Sequence, residues 1–177
     1  MTTTPHHITP DHRGAARAGS GSLLRTTSTY CAVVLSGLFA GFLVTVAVLE
    51  GSMRDEDAAV YTQVRLIELK HLDDLATALL IPALVVITAL AVISFRRGAT
   101  HRWMALIALA LLLVTLIISV SISVPINTMQ QAWSVASPPA DWANIRDRWQ
   151  LAHLARTATA VVAFVILTTV PLPSRTS

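Results

Sequence analysis

Thiols, lysines and charge of either sign are scarce in this chain. Cys31 is the only cysteine in 177 residues, which excludes an internal disulfide and any two-thiol redox cycle. Lys70 is the only lysine, against twelve arginines. Charged residues make up 13% of the chain and hydrophobic ones 54%, a balance that no soluble domain of this length carries. The isoelectric point near 9.8 does not point to nucleic acid, because the basic residues are scattered and no aromatic-interleaved basic patch accompanies them. There is no internal repeat and no sign of a second domain.

What the chain has instead is four apolar runs, at 30–49, 75–95, 103–124 and 151–170. Each is about 20 residues, enough to cross a ~30 Å hydrocarbon core as a helix. The expected fold is therefore all-α, an integral membrane four-helix bundle occupying 29–173 as a single domain. Residues 1–28, rich in Thr, Pro, Gly and Ser and lacking apolar periodicity, read as a disordered cytoplasmic tail. That tail is too long and too weakly basic to be the charged start of a cleaved signal peptide, so the first run is expected to stay in place.

Arg13, Arg17 and Arg25 precede the first run, Arg96, Arg97 and Arg102 fill the connection between the second and third, and Arg175 follows the fourth. Nine of the ten acidic residues, all but Asp11, fall in or beside the other two connections. The positive-inside rule then gives a multi-pass plasma-membrane protein with both termini cytoplasmic. The two acidic connections keep helical patterning. Tyr61, Val64, Glu68, His71 and Leu75 recur at heptad-like spacing, Asp141 stands where an N-cap would follow Pro138 and Pro139, and helix can continue past a kink at Pro125. The helices are accordingly expected to extend beyond the outer membrane face.

Ionisable and amide side chains at a hydrocarbon boundary are costly unless paired or functional. Here Glu50, Glu68, His71, Asn127, His153 and Arg156 converge on one level, each helix contributing at the same end. Asp55, Glu56, Asp57, Asp73, Asp147 and Arg148 read as solvated surface. Glu68 and His71 form an E-x-x-H, the i, i+3 spacing that presents a carboxylate and an imidazole to a metal, but the motif occurs once, which argues against a di-iron carboxylate centre. A mononuclear iron or copper site on Glu68, His71 and His153, with Glu50 as a further ligand, stays open beside a site with no metal, and a haem between His71 and His153 is less favoured. Trp133, Trp142 and Trp149 form either an interfacial belt alone or a belt that also lines, with Tyr61, a flat pocket for an aromatic substrate. A neutral His153 could accept a proton, while Arg156 and Asn127 hold the resulting oxyanion.

Two stretches carry a family resemblance. SVPINTMQQAW at 123–133 and WQLAHLARTATA at 149–160 resemble signatures of the anthrone-oxygenase-like family of small four-helix membrane proteins. Val124-Pro125-Ile126-Asn127 is similar to the last four positions of its N-V-P-L-N pattern, with Ser123 at the first. Trp149, His153, Arg156 and Thr157 are similar to its W-x-x-x-[NH]-x-x-R-T pattern, whereas Trp142 and Arg146 fall outside it and read as belt and surface. The resemblance implies oxidation of an anthrone-like aromatic substrate by O2, with Asn127, Trp149, His153 and Arg156 as the matched residues. The expected function is thus a membrane-embedded oxygenase for an aromatic or other lipophilic molecule held at the outer face, its partners being the bilayer, that substrate, O2 and, in one version, further copies of itself. The alternative is a non-catalytic membrane subunit or a small-molecule or haem binder.

Overall fold

The computed structural model describes residues 12–96, 98–99 and 102–170, with side chains from residue 23 onward. Residues 1–11 and 171–177, which include parts of the expected tail and Arg175, lie outside the described residues, as does Arg97. The elements are α1 (His12–Ser52), α2 (Ala58–Arg96), α3 (Arg102–Ile118), a π-helical turn (Ser119–Ser123), α4 (Val124–Gln130) and α5 (Trp142–Thr168). The backbone is helical from His12, so α1 takes in residues 12–28 as well as the first apolar run.

Among the described residues four helical units are long and apolar enough to cross a membrane, 23–52, 58–96, 102–130 and 142–168, the third being α3, the π turn and α4 in one continuous rod. At 1.5 Å per residue the 39 residues of α2 run to about 58 Å, well beyond a ~30 Å core. The chain is a multi-pass membrane protein. Around the bundle α1 packs on α2, α2 on α3, α3 on α5 and α5 back on α1, an up-and-down ring. Large apolar side chains such as Val34, Val85, Ile117 and Val165 face outward, as lipid contact requires, while Ala32, Ala40, Ala83, Ala91, Ala105, Ala108, Ala160 and Ala163 are buried between helices. Small buried residues let backbones approach closely where no hydrophobic effect drives association.

Local sequence explains the breaks. Asp57 Oδ1 accepts hydrogen bonds from the backbone N–H groups of Ala59 and Val60, both 2.9 Å, and starts α2. Gly98, with φ of 61°, ends it: its N–H reaches the Phe95 carbonyl and that of Ala99 reaches Ser94, the paired bonds of a Schellman cap. Asp141 occupies the N-cap of α5, but its side chain makes no capping bond. Pro125 has no N–H to donate and crowds the carbonyl one turn earlier, and the chain relieves this by widening to a π turn over Ser119–Ser123 rather than by a simple kink.

Gly37 and Gly41, four residues apart in α1, are not equivalent. A Cβ on Gly37 would stand 2.9 Å from Phe164 Cε2 of α5, whereas one on Gly41 would meet nothing within 4 Å. Alanine removes the entropic penalty of a helical glycine, about 0.5–1 kcal/mol. Gly41→Ala is therefore expected to raise the melting temperature in detergent, and Gly37→Ala to fall clearly below it because Phe164 must shift. Equal melting temperatures would contradict the close α1–α5 contact.

Candidate functional site

The ordered centre of the acidic end is built on Arg65. On α2, Tyr61, Arg65 and Glu68 sit at i, i+4 and i+7 and share the face that meets α1, α4 and α5. The guanidinium is 4% exposed and uses all its nitrogens. Its Nε donates to Gln130 Oε1 at 2.9 Å, one terminal nitrogen to Glu68 Oε2 at 2.8 Å and the other to Asn127 Oδ1 at 2.6 Å. Glu50, at the end of α1, stands 3.3 Å from the nitrogen that serves Glu68. The Trp149 ring lies under the guanidinium, 3.9 Å from its carbon. Gln150 of α5 donates to both the backbone carbonyl and the carboxylate of Glu50.

Asn127 links this centre to a second one. Its Oδ1 accepts from Arg65 and from Trp149 Nε1 at 2.7 Å, so its Nδ2 must be the donor that reaches Asp73 Oδ1 and Oδ2 at 2.8 and 2.9 Å. One turn further along α5, His153 stacks on Trp149 with centroids 4.8 Å apart and planes 9° from parallel. Arg156 donates to His153 Nδ1 at 2.9 Å and to Ser119 Oγ of the π turn at 3.1 Å. Because a guanidinium can only donate, Nδ1 is the acceptor, and Nε2–H is the donor to the Leu43 carbonyl at 2.9 Å. His153 is thereby fixed as a neutral Nε2–H tautomer with both nitrogens engaged. The Arg156 Nε is buried without a partner.

Beside this second centre lies a cavity of about 270 Å³. Phe39 and Leu43 of α1, Leu80 of α2 and Leu116 of α3 make its apolar wall, and Asp73, Ser119, Asn127 and Arg156 its polar one. Its lining also includes Ile81, Val120 and Val124, which are 46%, 59% and 51% exposed, so the mouth opens sideways between α2 and the π turn. A void of about 30 Å³, bordered by Arg65, Glu68, Asp73 and Arg156, separates it from the Arg65 centre.

The structure brings Asn127, Trp149, His153, Arg156, Glu50 and Glu68 together, as their shared level implied. It does not bring His71 to them: His71 is exposed, since α2 turns Arg65 and Glu68 inward and leaves His71 on the rim of that face. Among the described residues no three His, Cys, Asp or Glu side chains group as a metal site, and His153 has no free nitrogen. The residues present do not fit the iron or copper set of Glu68, His71, His153 and Glu50, nor a haem between the two histidines. Tyr61, Trp133 and Trp142 pack on one another, with centroid distances of 6.5 and 5.5 Å from Tyr61, and Trp149 is sandwiched between Arg65 and His153. All four fill space and none lines the cavity. Arg146 is buried, not surface: it donates to the Arg54 carbonyl at 3.1 Å and lies over Trp142.

Arg65, Gln130, Gln150 and Ser119 are absent from the sequence expectations. Arg65 could have been found beside Val64, since at i+4 from Tyr61 and three before Glu68 it lies on the same helix face. Asp73 was expected on the solvated surface; it is drawn inward by Asn127, and next to Asp74 nothing in the sequence tells the two apart.

The fold and site define a multi-pass helical membrane bundle that keeps a buried ionic centre next to a sideways-opening cavity. Residues 70–166 match the family model described as anthrone oxygenase, more than half of the chain, and the protein belongs to that family. It is thus a membrane protein of an oxygenase-like kind. No match is found among curated proteins, and none among solved structures. The matched segment contains Asp73, Ser119, Asn127, Trp149, His153 and Arg156; Glu50, Arg65 and Glu68 precede it.

Proposed function

We propose that the protein is a membrane-embedded oxygenase that converts an activated methylene of a hydroxyaromatic or similar lipophilic substrate to a carbonyl. The observation that carries this reading is the Arg156 Nε, a buried donor without a partner, in a side chain that shares a 270 Å³ lipid-facing cavity wall with the Asp73 carboxylate. That volume lies just below the usual range for small-molecule pockets, from about 300 Å³, and suits a compact ring system. Substrate enters sideways from the bilayer. The acidic end faces out of the cell across the plasma membrane, both termini lie in the cytoplasm, and the surplus helix length stands above the outer face.

Asp73 removes a proton from the methylene, and the electron pair spreads onto a phenolic or carbonyl oxygen held by Arg156. O2 takes the pair and forms the new C–O bond, the proton returns to its distal oxygen, and water leaves with the second methylene hydrogen. The sum is one methylene and one O2 to one carbonyl and one water. His153 and Ser119 position Arg156; Asn127 positions Asp73.

The test is purified protein in nanodiscs with an anthrone, following O2 uptake and label from ¹⁸O2. One O2 per quinone with label in the carbonyl is expected. Binding without O2 uptake would instead make the protein a non-catalytic binder. Val120→Trp at the exposed mouth is expected to lower kcat/KM severalfold with unchanged melting temperature, and an unaffected kcat/KM would place entry elsewhere.

A further inference from the structure

Around Arg65 the formal charges do not balance. Arg65 supplies one positive charge, Glu50 and Glu68 supply two negative ones when both are ionised, and the three side chains are 4%, 2% and 5% exposed. Among the described residues no cation besides Arg65 pairs with either carboxylate. From α4 come the neutral Asn127 and Gln130, from α5 Gln150, Trp149 and the neutral His153, and from α2 itself Tyr61. Arg54 borders a space of about 90 Å³ with Glu50, but its side chain is 59% exposed; Asp147 lies 3.9 Å from it and 3.0 Å from Arg146, so both of these guanidinium groups turn to Asp147 and not to Glu50. Asp73 and Arg156 offset each other across the small void. An uncompensated charge at such burial is strongly destabilising.

The hydrogen bonds leave a matching gap. Glu50 Oε1 and Glu68 Oε1 are both buried with no hydrogen-bond partner, although each carboxylate's other oxygen has one. The two carboxylates stand side by side on the same terminal nitrogen of Arg65, Glu50 Oε1 at 3.3 Å and Glu68 Oε2 at 2.8 Å. One proton between them removes the excess charge and gives the pair the donor it lacks.

The geometry points to a proton-binding site in which Glu50 and Glu68 share one proton over Arg65, a reservoir that exchanges with Asp73 at the substrate cavity. The route is short. Glu68 and Asp73 both border the 30 Å³ void, which has room for one water, and Asp73 also borders the large cavity. When the reservoir discharges, the O–H bond on Glu68 breaks as the water accepts its proton, and another proton of that water forms the O–H bond on Asp73. The reverse steps reload the emptied pair from Asp73. On the far side Glu50 meets the 90 Å³ space beside the exposed Gly51 and Arg54, where exchange with bulk water takes place. The exchange with Asp73 rests on the oxygenase reading; the shared proton does not.

Infrared spectroscopy of the full chain in a maltoside detergent, which has no carbonyl of its own, reads the site directly without substrate or O2. At neutral pH the wild type is expected to show the deuterium-sensitive C=O stretch of a buried protonated carboxyl. Either Glu50→Gln or Glu68→Gln abolishes the band, because a single carboxylate then balances Arg65, and each variant melts at or above the wild-type temperature, because glutamine matches the neutral acid in shape. Asp73→Asn leaves the band intact. No band in the wild type, a band surviving both glutamine variants, or a band lost in Asp73→Asn would each overturn the proposal, as would failure of both glutamine variants to fold. A protein that shows the band but consumes no O2 keeps the proton site and loses the oxygenase reading.

Discussion

Replacing Arg65 with methionine is expected to destabilise the bundle by about 3–5 kcal/mol, the cost of breaking a buried ion pair by removing one partner. The substitution leaves Glu50 and Glu68 facing each other with no cation, and it removes the donors that hold Gln130 Oε1 and Asn127 Oδ1. Those two amides belong to α4, so the damage spreads from α2 to the segment beyond the π turn. Trp149 loses the cation over its ring as well. Arg65→Lys should fall between the two proteins, because an ammonium cannot fork to Gln130, Glu68 and Asn127 from one position. Adding Glu50→Gln and Glu68→Gln to Arg65→Met removes the stranded carboxylates and should recover much of the loss. Denaturation in mixed detergent micelles measures all four proteins. A methionine variant as stable as the wild type would mean that Arg65 is not the hub of this end of the bundle.

The four spans were legible because each apolar run is long enough to settle its own conformation, and the level of the site was legible because each run ends in a costly polar residue. Which polar residue faces inward was harder. Glu68 and His71 lie three apart and share a helix face by spacing alone, yet Arg65 and Glu68 fill the interior and leave His71 outside. Asp73 and Asp74 differ only in 100° of helix rotation, and it takes Asn127, 54 positions away, to select one. The aromatic residues suggested a flat pocket from their identity; in three dimensions Trp133 and Trp142 pack on Tyr61, and both faces of Trp149 are taken by Arg65 and His153. The π turn was half visible: Pro125 announced a break, but a proline alone does not distinguish widening from kinking, and the contact that the widened turn makes, Ser119 with Arg156, spans 37 residues.

Arg156→Met should reduce turnover by about 10²–10³-fold, the usual loss when one donor to a developing oxyanion is removed, and Asp73→Asn by about 10²–10⁴-fold, that of a general base. Both should fold. The asparagine retains an oxygen that can accept from Asn127 Nδ2, and Arg156 lies at the edge of the cavity, clear of the Arg65 centre. The two losses should differ in kind. Without Arg156 the substrate loses an anchor as well as its oxyanion donor, so KM rises while kcat falls. Without the Asp73 base, kcat falls with KM little changed. Arg156→Lys should recover only part of the activity, since a single ammonium cannot hold Ser119, His153 and the substrate oxygen together. His153→Asn separates positioning from proton transfer: His153 accepts from Arg156 and carries no substrate proton, so this variant should resemble a weaker Arg156→Met, with the same rise in KM. If His153→Asn instead lowers kcat as far as Asp73→Asn does at unchanged KM, the histidine is the base and Asp73 is not. Turnover within a fewfold of wild type in both Arg156→Met and Asp73→Asn would remove the chemistry from this cavity altogether.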